Sequence, residues 1–116
     1  MGQVGCATMA ADSAVSAVVV ADRDGDRAAE IAARLGPKAS AAQVDITDSA
    51  ALATLLADVD LVLNTVGPFY RFGRPVLEAA ISARVHYVDI NDDWEPTVDM
   101  LTLDQAAVDA GVIAGI

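Results

Sequence analysis

The chain has 116 residues, enough for one domain, and carries a formal net charge of −10. A surface this acidic repels nucleic-acid phosphates and anionic lipid, which argues against proteins that bind nucleic acid or a membrane surface. The apolar runs are shorter than the roughly 18 residues that span a membrane, no secretory leader is recognisable, and the single cysteine, Cys6, excludes an internal disulfide. We therefore expect a cytoplasmic protein with Cys6 as a small buried helix residue.

Short apolar runs alternate with segments of helical periodicity in the first half of the chain. Residues 17–21 form a continuous apolar run, which predicts a parallel strand covered on both faces. Asp24 is placed to cap the next helix, which ends at Gly36-Pro37. Its inward face holds Ala28, Ile31, Ala32 and Leu35. Residues 42–46 predict the second strand.

The alternation continues to the end of the chain. The further predicted elements are a helix capped by Thr47 or Asp48, a strand over 61–66, a helix with Pro75 in its first turn, a strand over 86–90, a helix over 97–110 closed by Gly111, and a strand over 112–116. This spacing indicates right-handed βαβ units. The predicted fold is therefore α/β, with a doubly wound, mostly parallel sheet in a three-layer αβα arrangement.

Two glycines near the start suggest a nucleotide site. Gly2 and Gly5, with Gln3-Val4 between them, match the second half of a dinucleotide-binding G-x-G-x-x-G loop. Glycines there let the backbone approach a pyrophosphate, whose charge is met by the amides of the next helix. A short G-x-x-G is weak evidence for a nucleotide site by itself. The next predicted strand, however, ends at Asp22, about twenty residues farther along the chain. In dinucleotide-binding folds, an acid at this position hydrogen-bonds the adenosine ribose.

Asp22 and Arg23 bear on the choice of cofactor. A carboxylate accepts hydrogen bonds from a free 2′-hydroxyl and repels a 2′-phosphate, which favours NAD. Arg23 is able to stack on adenine or to pair with the 2′-phosphate of NADP. The sequence leans to NAD and leaves NADP open. For Asp22 itself, the alternative is an acid that only shapes a turn or caps a helix.

Ligands in open α/β sheets bind at the carboxyl ends of the strands, so the residues that end the other strands are candidates. Asp45 is either an adenine contact or a turn acid. The turn after the third strand, which commonly lies near the nicotinamide half, contributes Asn64, Thr65, Gly67 and Pro68. The aromatic cluster Phe69, Tyr70 and Phe72 forms either a hydrophobic wall or a lid over a pocket.

The fourth strand carries polar residues at both ends. His86 lies at the amino end of the strand, opposite the ligand edge, which predicts a structural role. Asp89, Asp92 and Asp93 surround the other end, where carboxylates serve acid–base or metal chemistry or simply form a solvated loop. We expect no metal site here.

Long stretches of the chain resemble a known family. NTVGPFYRFGRPVLEAAISARVHYVDINDDWE, with VVVADRD and VDITD upstream, is similar to the NAD(P)-binding Rossmann domain of the saccharopine dehydrogenase family. The resemblance implies an NAD(P)-dependent oxidoreductase whose better-known relatives make or split the C–N bond of saccharopine. It places the pyrophosphate at Gly2 to Gly5, the adenosine at Asp22, Arg23, Asp45 and Ile46, and the nicotinamide at Asn64 to Pro68. The substrate side would include Tyr70, Asp89, Asn91 and Asp92.

The chain departs from the family pattern in what it lacks. The first strand and first loop glycine are missing, which leaves two unpaired edges in mid-sheet, and the helix after Gly5 looks a turn short. The second domain, which supplies substrate and dimer contacts, is also absent. We therefore expect residues 1–116 to form a single partial cofactor domain, inactive alone, from a dehydrogenase that acts on a C–N bond of an amino-acid conjugate. A homodimer is one possible assembly, and Asp89 is only a candidate for a catalytic role. The alternatives are a non-catalytic nucleotide-binding or regulatory module and an inactive fragment.

Overall fold

The computed structural model describes residues 2–116, in which helices and strands alternate along the chain. The elements are α1 (Gly2–Ala11), β1 (Val18–Asp22), α2 (Gly25–Leu35), β2 (Ala39–Gln43), α3 (Ser49–Leu56), β3 (Leu61–Asn64), α4 (Phe69–Ala83), β4 (His86–Asp89), α5 (Trp94–Leu101), α6 (Asp104–Ala110) and β5 (Ala114–Gly115). None of these helices is long and apolar enough to cross a membrane.

Every strand pair among the described residues is parallel. One sheet pairs β1 with β2, in a register that runs from Val18 opposite Ala39 to Asp22 opposite Gln43. The other has the order β3-β4-β5. Parallel neighbours require a crossover connection, and the helices between the strands provide it. The predicted α/β class with parallel strands is confirmed.

The chain divides into two compact units, Met1–Ala51 and Leu52–Ile116, which are described separately. In the first unit, Val18 and Val20 of β1 pack with Ala28 and Ala32 of α2. The partly buried side chains around them are Cys6, Met9, Ala10, Val15, Ile31, Leu35 and Ala39. Burial raises the pKa of the Cys6 thiol, which keeps it protonated and fits its predicted packing role.

One face of β1 stays open, contrary to the sequence prediction. Val18 and Val20 are 4% and 5% exposed, whereas Val19 between them is 39% exposed. Successive side chains of a strand point to opposite faces, and α2 packs on the face that Val18 and Val20 share. A continuous apolar run predicts burial of both faces, but it does not specify what covers each one.

The capping residues of the first helices follow the sequence. The Asp24 carboxylate accepts hydrogen bonds from the backbone N–H groups of Asp26 and Arg27, and the Gly36 backbone, at φ 94°, closes α2. Asp48, rather than Thr47, caps α3 through a hydrogen bond from Ala51 N. Strand β2 begins three residues before its predicted start, because its register with β1 pairs Ala39 with Val18.

The helices of the second unit correct two predictions. Helix α4 begins directly after Pro68, whose carbonyl accepts from Arg71 N and Phe72 N, so Pro75 lies inside the helix rather than in its first turn. The predicted helix over 97–110 is two helices. Thr102 ends α5, because both its backbone N–H and its hydroxyl bond to the carbonyl of Asp99.

The core of the second unit lies where α4 and α5 pack together and where α4 covers β4. Its buried side chains include Val76, Leu77, Ala80, Val85, Tyr87 and Met100. Gly73 allows the close approach of the two helices, since an added Cβ would lie 3.1 Å from Met100 Sδ. His86 has the structural role that its position predicts: its Nδ1 accepts a hydrogen bond of 3.0 Å from Ile113 N, which ties the start of β4 to the last strand segment.

The cap of α2 provides a test of the first unit. Replacing Asp24 with Ala removes the acceptor of two backbone N–H groups and should lower the free energy of unfolding by about 1 kcal/mol, measured by urea denaturation. Asp24→Asn keeps a capping oxygen without the charge and should stay close to the unchanged chain. An equal loss of unfolding free energy in both variants would mean that the charge of Asp24, and not its capping oxygen, stabilises α2.

The core of the second unit is tested by a matched pair of leucines. Leu77 is 2% exposed and Leu101 is 57% exposed. Leu77→Ala leaves a cavity and should cost about 3 kcal/mol of unfolding free energy. Leu101→Ala should cost no more than about 0.5 kcal/mol, since a surface substitution creates no cavity. The free energy of unfolding of both variants is measured by thermal and by urea denaturation. Equal losses in Leu77→Ala and Leu101→Ala would contradict the packing described here.

Candidate nucleotide site

The carboxyl end of β1 carries Asp22, the predicted ribose acid. Asp22 is half-buried, and its Oδ1 accepts a hydrogen bond of 2.9 Å from Asp24 N. Within residues 2–116, no donor reaches its other oxygen, Oδ2. The carboxylate therefore shapes the turn into α2 with one oxygen and retains the second for a ligand hydroxyl. The two roles that the sequence allows for Asp22 are compatible in this geometry.

Gln43 at the end of β2 completes this edge, and sequence reasoning missed it. Gln43 is opposite Asp22 in the strand register, and its Nε2 donates a hydrogen bond of 3.1 Å to the Arg23 carbonyl. A Cβ on Gly25 would lie 3.0 Å from Gln43 Oε1 and 3.2 Å from Gln43 Cβ, so a larger residue at the start of α2 would require Gln43 to shift. No local motif marks Gln43, because its role appears only when the register of β1 and β2 is known.

An open polar depression lies at the same edge. It has a volume of about 400 Å³ and is lined by Asp24, Gly25, Asp26, Ala41 and Gln43. The Arg23 side chain is exposed and forms no ion pair with any of residues 2–116. The carboxylates of Asp24 and Asp26 make the electrostatic potential at this strand end more negative, and the Arg23 guanidinium makes it more positive.

Asp45 and Ile46 follow β2. The Asp45 Oδ1 accepts hydrogen bonds from Thr47 N at 2.9 Å and from Thr47 Oγ1 at 2.6 Å. Its backbone carbonyl accepts from Asp48 N. These bonds are typical of a turn acid and direct the carboxylate into the connection to α3. Ile46 is half-buried.

The glycine motif lies in a helix rather than in the predicted loop. Gly2 is the first residue of α1, and Gln3, Val4 and Gly5 complete its first turn. Gly2 and Gly5 are half-buried, whereas Gln3 and Val4 are exposed. The first N–H groups of a helix have no intrahelical acceptor, which leaves amides of this turn free to face an anion.

In the second unit, Asn64 lies at the carboxyl end of β3 and is 3% exposed. Its Nδ2 donates to the Tyr87 hydroxyl at 3.1 Å and, more weakly, to the Phe72 carbonyl at 3.4 Å. Its Oδ1 accepts from Val66 N at 3.0 Å. The Asn64 amide is therefore fully engaged within the chain and shapes the turn after β3.

The rest of that turn presents backbone to solvent. Thr65 is half-buried, and Val66, Gly67 and Pro68 are exposed. The Gly67-Pro68 peptide bond is cis. No heavy atom lies within 4 Å of a Cβ built on Gly67, so a ligand has open access to the main chain at this position.

Asp89 at the end of β4 is the partner of Asn64 in the strand register. Its Oδ2 accepts from the Tyr87 hydroxyl at 2.7 Å, and its Oδ1 accepts from Asn91 N at 3.1 Å. Burial above all raises the pKa of Tyr87, and the neighbouring carboxylate of Asp89 adds to the rise. The Tyr87 hydroxyl therefore stays protonated and donates to Asp89.

The remaining predicted substrate residues, Tyr70, Asn91 and Asp92, belong to α4 and to the loop before α5. Asn91 organises the loop before α5, since its amide bonds to the backbone of Asp93 and to Thr97 Oγ1. Asp92 is exposed, and Tyr70 on α4 is 76% exposed. In the part of the chain that the structure describes, no three acidic, His or Cys side chains are grouped as metal ligands would be.

The chain is similar in sequence and in structure to several characterised proteins. An apo saccharopine dehydrogenase (L-Glu forming) from Saccharomyces cerevisiae matches with a TM-score of 0.79 and 29% sequence identity, over 97% of this chain and 24% of that one. The trans-acting enoyl reductase of Mycobacterium leprae is 26% identical over 118 residues, covering 97% of this chain and 28% of the relative. That of Mycobacterium tuberculosis H37Rv is 26% identical over 95 residues, covering 79% and 23%.

The chain thus spans about a quarter of the length of these relatives. The structural match confirms the predicted Rossmann-like fold class. Residues 1–114 match the family described as the saccharopine dehydrogenase NADP binding domain. With nearly every residue included in that match, the chain belongs to this family.

Proposed function

We propose that this chain is the nicotinamide-dinucleotide-binding domain of an NAD(P)-dependent oxidoreductase. The observation that carries the proposal is the placement of polar side chains at the carboxyl ends of parallel strands, with Asp22 ending β1 and Asn64 ending β3. Ligands of α/β folds bind at these strand ends. In the first unit, the free oxygen of Asp22 fits a ligand hydroxyl. In the second unit, the open backbone at Gly67 fits a ligand amide.

The adenosine end is assigned to the first unit. The free Asp22 oxygen accepts from a ribose hydroxyl, and the open depression beside it offers room for the adenine. The carboxylates of Asp24 and Asp26 at this depression add negative charge. Because a 2′-phosphate would be repelled by these acids, NAD is the preferred cofactor in this proposal, with Arg23 as the group that opposes the preference.

The pyrophosphate is assigned to the first turn of α1, and the nicotinamide is assigned to the turn after β3. The N-terminal amides of α1, from Gly2 to Gly5, stabilise the negative charge of the pyrophosphate. The turn from Asn64 to Pro68 offers exposed backbone to the carboxamide of the nicotinamide ring. When bound, the nicotinamide supplies or accepts the hydride, and these residues orient it.

In the complete enzyme, hydride passes between the nicotinamide and a carbon bonded to nitrogen, as in an amino-acid conjugate. The relative that supports this substrate class is the saccharopine dehydrogenase, at 29% identity. A second candidate is reduction of a carbon–carbon double bond, supported by relatives named enoyl reductases at 26% identity. In the reductive direction, both reactions require an electrophilic carbon of the substrate to lie against the nicotinamide ring. The same cofactor domain would therefore serve either reaction.

No catalytic acid or base is assigned within residues 2–116. Asp89, the candidate from sequence, accepts a hydrogen bond on each of its carboxylate oxygens. Tyr70, Asn91 and Asp92 remain proposed contacts of the substrate side.

Calorimetric titration of the chain with NAD and NADP tests the proposal directly. We expect NAD to bind and NADP to bind more weakly, because the acids at the end of β1 repel the 2′-phosphate. An Asp58→Ala variant, which removes an exposed carboxylate outside the proposed site, should bind as the unchanged chain does. Absence of binding to either nucleotide would overturn the assignment and favour a module without a cofactor.

The role of Asp22 in cofactor choice is tested by Asp22→Asn. Asparagine retains an oxygen for Asp24 N but carries no charge, so the turn is kept and the repulsion of a 2′-phosphate is relieved. The ratio of the NAD to the NADP association constant should fall about tenfold, which corresponds to about 1.4 kcal/mol. An unchanged ratio would assign the preference to other residues.

A further inference from the structure

Tyr87 lies in the interior of the second unit, yet its hydroxyl joins the ends of two strands. The residue is fully buried, at 0% exposure. Its hydroxyl accepts a hydrogen bond from Asn64 Nδ2 at 3.1 Å and donates one to Asp89 Oδ2 at 2.7 Å. Asn64 and Asp89 are register partners on β3 and β4, so the tyrosine bridges the carboxyl ends of both strands.

The direction of each hydrogen bond in this chain of groups is fixed from one end. An ionised carboxylate only accepts hydrogen bonds, so the Tyr87 hydroxyl, which keeps its proton, donates to Asp89. The hydroxyl oxygen then has only lone pairs to offer, and Asn64 must present its NH₂ group. The carbonyl side of the Asn64 amide is thereby directed at Val66 N, which it contacts at 3.0 Å.

We propose that Tyr87 is a positioning residue for the nicotinamide end of the cofactor. It has no exposed surface with which to contact a ligand, but through Asn64 it holds the backbone N–H of Val66 and so the shape of the exposed turn at Gly67 and Pro68. This inference rests on the proposed function, because it assumes that the turn receives the nicotinamide.

The Val66 N–H can only donate, so it requires the oxygen of the Asn64 amide, and the Tyr87 hydroxyl strengthens this orientation by accepting from the NH₂ group. Without the hydroxyl, the Asn64 NH₂ keeps only the long contact of 3.4 Å to the Phe72 carbonyl, and Asp89 loses one of its two donors. The Asn64 side chain is then held less firmly, and the hydrogen bond from Val66 N that closes the turn after β3 is weakened.

The variant that removes only the hydroxyl is Tyr87→Phe, which keeps the ring and most of the packing. NAD and ADP-ribose are the two ligands to compare by calorimetry, since ADP-ribose lacks the nicotinamide ring. We expect the affinity for NAD to fall about tenfold, as for loss of a buried hydrogen bond, with the affinity for ADP-ribose unchanged.

Two further variants serve as controls for the Tyr87→Phe result. Val85→Ala weakens the same core next to β4 without touching the hydrogen bonds, and Val85 is 2% exposed. It should lower stability and leave the NAD to ADP-ribose affinity ratio unchanged. Asn64→Asp replaces the NH₂ donor with an acceptor of the same shape, and it should reproduce the effect of Tyr87→Phe. The two substitutions combined should cost no more than either alone, because they break one network.

Amide hydrogen exchange at Val66 provides a readout that does not depend on nucleotide. Exchange should accelerate in Tyr87→Phe and should be unchanged in Val85→Ala. If the unchanged chain binds NAD and Tyr87→Phe lowers both affinities equally, or neither, the inference fails and the proposed function stands. If the unchanged chain binds neither ligand, both fail, and the two failures are thereby distinguished.

Discussion

Parallel strand pairing is the constraint on which the rest of this structure depends. A parallel pair places the carboxyl ends of both strands at one edge, and a helix must connect them. Residues that end paired strands are therefore neighbours although they lie far apart in sequence, as Asp22 and Gln43 are in the first sheet, and Asn64 and Asp89 in the second. Within each sheet, polar side chains lie at the carboxyl ends of the strands, and within each unit apolar side chains fill the core.

Placing polar groups at a strand end is stable only when their hydrogen bonds are satisfied. Asn64 is the one polar side chain that is buried among residues 2–116, and no buried polar side-chain atom in that part of the chain lacks a partner. An unsatisfied buried donor or acceptor costs about 1–3 kcal/mol. The Tyr87 hydroxyl, which accepts from Asn64 and donates to Asp89, is therefore both a structural requirement and the reason that the turn after β3 has a defined shape.

The sequence predicts the type and order of elements well because each local signal has a local cause. The Asp24 cap and the Gly36 stop depend on residues within one helical turn, and both are confirmed. The start of β2 was predicted three residues late because register depends on the partner strand. Proline favours the first turn of a helix, and Pro75 was therefore predicted to mark the start of α4. The helix instead begins after Pro68, so Pro75 lies in its interior. Gln43 and the hydrogen bond between Asn64 and Tyr87 were not predicted for the same physical reason as the register: the partners are 20 and 23 residues apart in sequence.

Asp89 shows how an acid at a strand end orients its neighbours. Its two oxygens accept hydrogen bonds from the Tyr87 hydroxyl and from the Asn91 backbone N–H. A carboxylate can only accept, so it fixes the direction of the Tyr87 hydroxyl, which is then free to accept from the Asn64 NH₂ group. The backbone N–H of Val66 can only donate, and it therefore requires the amide oxygen of Asn64 at the other end of the network. The two ends agree on one orientation of Asn64, and Asp89 thereby supports the turn that we assign to the nicotinamide.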